Sequence, residues 1–386
     1  MHLAQPKAHG LSLLALCAGL SLVAHQANAA SESVIYSFQG TKQDGANPDS
    51  DLTKVGPYLY GTAAGSKMCK KKGPCGVVFK IKPGSDAKVI HQFDSRAGYG
   101  TDSGLLAIGD TLYGTTLYGG AGYGSLYALT PPKSFDTVVN FPITPGPPNG
   151  GLSTDGSNYY GVTMPSGGQK GQFGSVYSVT TAGTVTVLYS FQGGTDGWSA
   201  DAAPTPLNGT LYGTTFGGGA YGLGTVYAVA PNGTETILHS FSGTGDGASP
   251  THRLLSLNGT LYGTTEGQLG SCGKPVGCGT IFQITPGGAL TTLYSFSGTS
   301  DGAVPFGDLT ALNGVIYGTT FAGGKSNTGT VFSITTGGVF NTIYAFGKKP
   351  DGNNPNAGLL ADGKLLYGTT SLGGSANLGT VFTITP

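Results

Sequence analysis

Four side chains in this 386-residue sequence stand out for what they could do: Trp198, His252, Arg253 and Glu266. A tryptophan ring can stack on the apolar face of a sugar, and arginine brings a fork of donors for hydroxyls or carboxylates. A histidine and a glutamate that meet can move a proton, so Glu266 and His252 are the candidate acid and base if the protein cleaves a glycan. Each of the four breaks a pattern. Trp198 is the only tryptophan and directly follows Asp196-Gly197. His252-Arg253 is expected to open an inner strand where other repeats carry neutral residues. Glu266 follows Thr265 at a position held elsewhere by Leu117, Phe216, Phe321 or Ser371. Tyr99, Tyr118, Tyr123, Phe173 and Tyr221 fall on neighbouring long loops, and exposed rings among polar groups are what a polysaccharide needs. No nucleophile elbow, metal-ligand cluster, clear carboxylate pair or cofactor motif is present, so neither a metal nor a cofactor is expected.

The pattern these residues break is Leu-Tyr-Gly-Thr-Thr. Tyr113, Tyr212, Tyr262, Tyr317 and Tyr367 sit in close copies, and Tyr60 and Tyr160 in degraded ones. A spacing near 50 residues over a whole chain marks an array of one supersecondary unit. Residues 237 to 294 give the unit: Ile237–Phe241, a loop with Asp246-Gly247, Arg253–Leu257, an Asn258-Gly259 hairpin, Thr260–Thr265, a long loop, then Thr280–Thr285. Asn-Gly between alternating apolar runs is the strongest short hairpin signal. Each unit therefore has four antiparallel strands, and seven such units predict an all-β, seven-bladed β-propeller. Val34–Phe38 is a lone outer-type strand at one end and Gly379–Thr385 a lone partner at the other. Their pairing should close the ring and remove an open edge.

The repeat tyrosines read as core, since chemistry is rarely needed seven times. The glycine after each is expected to admit an aromatic ring of the next blade. Asp-Gly recurs at Asp44, Asp196, Asp246, Asp301 and Asp351, four times as Asp-Gly-x-x-Pro. A ring of carboxylates could bind calcium, but the spacing is not that of a calcium loop, and Asx turns account for it. His91 and His239 replace the tyrosine of Tyr-Ser-Phe and read as structural.

Residues 1–29 read as a signal peptide, with an apolar run from Leu11 to Ala24 and an Ala27-Asn28-Ala29 cleavage site. Residues 30–386 then form the single propeller domain, secreted or periplasmic, with no membrane span and a monomeric state expected. The chain has 19 basic and 19 acidic residues, which gives no general attraction to nucleic acid or anionic membrane. Cys69 and Cys75, and Cys272 and Cys278, each enclose a short loop at the same place in their repeats, and an exported chain makes local disulfides the expectation over zinc.

The units Gly318-Thr-Thr-Phe-Ala-Gly-Gly324 and Gly329-Thr-Val-Phe332 resemble the GloVer tandem-repeat family of secreted bacterial proteins, over roughly residues 33–386. The resemblance implies export and a propeller-like array, and carries no catalytic residues to transfer. Family members carry varied surface anchors; none follows the last repeat here. The expectation is an exported binding or scaffold module, with carbohydrate at its long-loop face. The alternatives are a polysaccharide lyase or glycoside hydrolase with its site at the axial mouth, and a structural envelope protein.

Overall fold

The computed structural model describes residues 31–64, 76–94, 100–101, 103–120, 122–132, 134–142, 145–165, 172–267, 272, 277–347 and 350–386. The expected signal peptide and the Cys69–Cys75 pair lie outside these residues.

Seven antiparallel sheets make seven blades. The fourth blade shows the plan: Thr205–Leu207, Thr210–Thr215, Thr225–Val229 and Glu235–Ser240, in that order from the inside out. The seventh blade takes its outer strand from the other end of the chain. Ser31–Ser37 pairs antiparallel with Thr380–Thr385, Glu32 opposite Ile384 and Tyr36 opposite Val381. The ring is closed by its own termini. Among the described residues no helix is long and apolar enough to cross a membrane.

The core is not one cluster but seven, one in each seam between blades. Leu211 and Tyr227 of the fourth blade pack on Val162 and Val176 of the third. Tyr212 and Val226 point the other way, onto Leu254, Leu261 and Phe282 of the fifth. Alternation along a strand thus sends successive side chains into successive seams. The closing seam joins Tyr367 and Val381 to Leu52, Leu59 and Phe79.

The repeat motif can now be read atom by atom. Gly213 pairs directly with Tyr227 on the next strand of its own blade, and a Cβ there would lie 2.3 Å from the Tyr227 hydroxyl. The same pairing recurs in every blade, as Gly61–Phe79 and Gly368–Phe382 show. This corrects the expectation that the ring comes from the neighbouring blade: it comes from the paired strand, where glycine is the only residue with no Cβ to displace it. The second threonine of the motif bonds across the same strand pair, Thr215 Oγ1 to Thr225 Oγ1 at 2.8 Å, with Thr265–Thr280 and Thr370–Thr380 equivalent. Tyr60, Tyr212, Tyr262, Tyr317 and Tyr367 are buried, whereas Tyr113 and Tyr160 are half-buried. The Tyr160 hydroxyl donates to Asp155 Oδ2 at 2.7 Å.

The Asp-Gly carboxylates are staples. Asp301 accepts from the Ser297 amide at 2.7 Å and the Tyr294 hydroxyl at 3.0 Å; Asp246 accepts from the Ser242 amide at 2.9 Å and bonds His239 Nε2 at 3.0 Å. Each ties an outer strand to the loop that leaves it. His91 stacks on Phe135 at 3.7 Å. Cys272 and Cys278 form a disulfide, with Cα atoms 4.7 Å apart.

Candidate functional site

The inner strands of all seven blades face one axial cavity of about 1010 Å³. Register gives its layers. Each inner strand opposes its repeat tyrosine with one residue: Thr53, Leu106, Ser153, Thr205, Leu255, Thr310 and Leu360. Four residues before these stand Asp49, Asn149, Asp201, Thr251, Phe306 and Asn356, all lining the cavity; the second blade's equivalent, Asp102, lies outside the described residues. These are mostly short polar groups, set in a ring around the axis with one aromatic, Phe306, among them.

His252, Arg253 and Glu266 line this cavity. His252 and Glu266 meet through Thr251, which sequence reasoning missed. The Thr251 hydroxyl donates to Glu266 Oε1 in a short hydrogen bond, and its oxygen lies 3.0 Å from His252 Nδ1. A hydroxyl has one proton to give, so His252 Nδ1 is the donor to Thr251 and Nε2 is left as an acceptor. Burial holds the imidazole neutral by pushing its pKa down to about 4, against the smaller opposing pull of Asp308. The ring packs edge-on to Phe306 at 4.6 Å. Glu266 has its pKa raised, mainly by burial and in part by the charge of Asp201. Asp201 is pushed up to about 6 by burial, although Ser199 Oγ at 2.8 Å and Asn149 Nδ2 at 3.0 Å both donate to it.

Arg253 is committed to the wall. Its guanidinium lies 2.9 Å from Asp308 Oδ2, and its amide donates to Asp308 Oδ1 at 2.9 Å. Asp51 also faces it: burial and then the charge of Asp308 raise the Asp51 carboxyl well above the usual carboxylate range, while Arg253 pulls it down. Asp51, Arg253 and Asp308 hold one and the same position in three repeats, two residues before the strand pairs with its tyrosine. The expectation of neutral residues at this position is therefore corrected. The others are Gly104, Gly151, Ala203 and Gly358.

Trp198 stands apart. It does not line the cavity. It forms a two-bond bridge with Gly217, Trp198 N to Gly217 O at 3.0 Å and Gly217 N to Trp198 O at 3.2 Å. Among its repeat equivalents Ala46 and Ala303 face Ala64 and Ala322, Ala248 bonds Gly267 and Asn353 faces Leu372. Trading an alanine pair for tryptophan and glycine makes room for the indole, since a Cβ on Gly217 would lie 2.2 Å from Trp198 Cζ2. The indole stays 37% exposed and meets Phe216, itself 36% exposed, edge-on at 5.6 Å. Tyr221, on the same loop as Phe216, is 65% exposed. The four predicted residues thus fall into two groups, a cavity wall and an aromatic ledge.

One signal could have found the rest of the wall. Asp49, Asn149, Thr251, Phe306 and Asn356 each follow a proline, four of them the proline of Asp-Gly-x-x-Pro. Among the described residues no group of three or more histidines, cysteines and acids could hold a metal ion.

Two solved structures share the fold over most of the chain. A puromycin-hydrolyzing peptidase of Mycobacterium tuberculosis superposes with a TM-score of 0.54 at 14% identity, covering 87% of this chain and 52% of the peptidase. The chain thus spans about half the length of that enzyme. The BP39L lectin of Burkholderia pseudomallei gives a TM-score of 0.54 at 10% identity, covering 89% of this chain and 97% of the lectin. At such identities the likeness speaks to the fold alone. No curated protein sequence matches the chain. The Gloeobacter/Verrucomicrobia repeat model matches residues 147–382, more than half of the sequence, and the chain belongs to that repeat family.

Proposed function

We propose that this protein is an exported carbohydrate-binding module whose ligand enters the axial mouth and lies across the aromatic ledge beside it. The observation that carries the reading is the bridge between the two groups. Ser199 directly follows Trp198, and its hydroxyl donates to Asp201 in the cavity wall, so stacking surface and hydrogen-bonding wall are joined within four residues. A sugar needs both, an apolar ring for its C–H face and acceptors for its hydroxyls. The lectin neighbour, similar over almost its whole length, is compatible with such a use of the fold.

A second reading is glycan cleavage. It is favoured by the His252–Thr251–Glu266 chain, which leaves a carboxyl of raised pKa in a cavity next to a second acid, Asp201. One experiment addresses both readings. The purified protein is screened against polysaccharides by thermal shift, and hits are titrated with Trp198→Ala and Glu266→Gln. A ligand module loses affinity in Trp198→Ala at an unchanged melting temperature and keeps most of its affinity in Glu266→Gln. A glycan-cleaving enzyme keeps binding in Glu266→Gln and loses roughly 10²–10⁴-fold in rate. A Trp198→Ala protein that binds its glycan as tightly as the parent overturns the ledge.

A further inference from the structure

We infer that the glycan taken by the axial cavity carries a free, protonated amine, as an amino sugar without its acyl group does. The inference rests on the carbohydrate reading above and deepens it. It starts from an account of donors and acceptors. Asp49, Asp51, Asp201, Asp308 and Glu266 line the cavity, against Lys54 and Arg253. Each cation already has a carboxylate partner. Lys54 Nζ lies 2.6 Å from Asp362, and Arg253 is held by Asp308. His252 is neutral and offers Nε2 as an acceptor, and the Thr251 hydroxyl is spent on Glu266. Independently of any charge, Asn356 Oδ1 is buried without a hydrogen-bond partner, although Asn356 lines the same wall. The wall thus carries more carboxyl groups than cations. A neutral sugar matches it only in part, because each hydroxyl both gives and takes. An ammonium group has three donors and no acceptor.

The carboxyl groups register the same mismatch. In this cavity Asp201 and Glu266 hold their protons to higher pH than usual, because burial disfavours ionisation of both and the charge of Asp201 adds to it at Glu266. An ammonium between them restores the ionised forms, so binding expels protons. Affinity should therefore rise with pH through about 6 and fall again as the amine itself deprotonates near about 8. Asp51 faces the same space, its carboxyl raised by burial and by the charge of Asp308, and acts with the same sign, while Arg253 opposes.

The test is calorimetric titration of the purified protein with a glucosamine tetrasaccharide, its fully N-acetylated counterpart and spermidine, at pH 6 and in two buffers of different ionisation heat. The expected result is about tenfold or more tighter binding of the free amine than of the acetylated sugar, with proton release seen as a buffer-dependent heat. The Asp201→Asn, Glu266→Gln double variant, checked for an unchanged thermal transition, should lose the preference; proton release by the parent protein tests the same point without any variant. Equal affinity for the two tetrasaccharides overturns the amine and leaves the carbohydrate reading standing. Spermidine bound as tightly as the amino sugar keeps the amine and overturns the carbohydrate. Failure of all three probes to bind overturns both.

Discussion

Phe38 offers the sharpest test of ring closure, because the molecule carries its own control. Seven phenylalanines occupy one position at the end of the outer strands, and both Phe38 and Phe241 are fully buried. Their amides donate to equivalent carbonyls, Phe38 to Gly379 and Phe241 to Gly224, each at 3.0 Å. They differ only in connection. Phe241 lies on a strand continuous with its blade, whereas Phe38 reaches its blade only because Ser31–Ser37 crosses from the other end of the chain. Removing a buried phenylalanine ring costs about 3–5 kcal/mol. Unfolding entropy near 2.1 cal/mol/K per residue gives roughly 0.7 kcal/mol/K for a cooperative unit of this size, so each Phe→Ala change should lower the melting temperature by about 4–7 °C. Calorimetry of Phe38→Ala and Phe241→Ala should return equal losses. A Phe38→Ala protein that melts like the parent while Phe241→Ala loses stability would refute closure by the first strand.

Three further expectations are independent of the ligand. The Tyr177 and Tyr227 hydroxyls are buried without partners where other blades use Phe79, Phe282, Phe332 and Phe382. Tyr177→Phe and Tyr227→Phe should each raise stability by about 1–3 kcal/mol in denaturant unfolding, and a loss would mean that a buried water satisfies the hydroxyl. Glu235 faces Asp196 across the seam between the third and fourth blades, and burial first, then that charge, raises its pKa to about 7. The folded state holds this proton where the unfolded chain has released it, so this contribution is present below the unfolded value near about 4.3 and is lost as pH rises through about 7. Glu235→Gln should therefore gain on the parent at pH 8 and lose that advantage at pH 5; a pH-independent difference would contradict the sign. Cysteines 272 and 278 are six residues apart in sequence, and breaking their disulfide should cost about 2 kcal/mol or less on the loop-closure account. Unfolding of Cys272→Ser, Cys278→Ser against the parent measures it, and loss of the folded state would give the loop a larger role.

Much of the fold was legible because the same constraint is written seven times. A glycine opposite an aromatic, a threonine opposite a threonine and an Asn-Gly hairpin are local demands of one strand pair, and repetition separates them from chance. The partner of each glycine was harder to read. Tyr227 alternates along its strand as regularly as any neighbouring-blade ring would, and only the register, Gly213 opposite Tyr227, decides between them. The site was legible in part, for the opposite reason. His252, Arg253 and Glu266 showed because they differ from their equivalents, whereas Asp51 and Asp308 did not because the short inner strands carry too little periodicity to fix their register. Trp198 was visible as an exception, but its outward placement depends on Gly217, nineteen residues further along the chain.

The same register explains why the cavity is lopsided. At the level of Arg253 the fifth, sixth and first blades contribute Arg253, Asp308 and Asp51, three long or charged side chains linked to one another. The second, third, fourth and seventh contribute the small residues Gly104, Gly151, Ala203 and Gly358, of which Gly104 and Gly151 line the cavity. A ring of identical blades would leave a symmetric hole; this one has a charged half and an open half. Trp198 and Phe216 stand on loops flanking the inner strands of the fourth blade, and Asp201, three residues after Trp198, lines the cavity. A ligand that stacks on the ledge is therefore led toward the half of the cavity where there is space, with the charged half as its opposing wall. Placing bulk on the fourth blade's cavity wall while leaving every charge in place, by Ala202→Leu, should block a ligand that enters this way, read as lost binding in the same titrations, and Gly358, whose amide donates to Asp51 Oδ1 at 2.5 Å on the opposite side, should not be needed for entry.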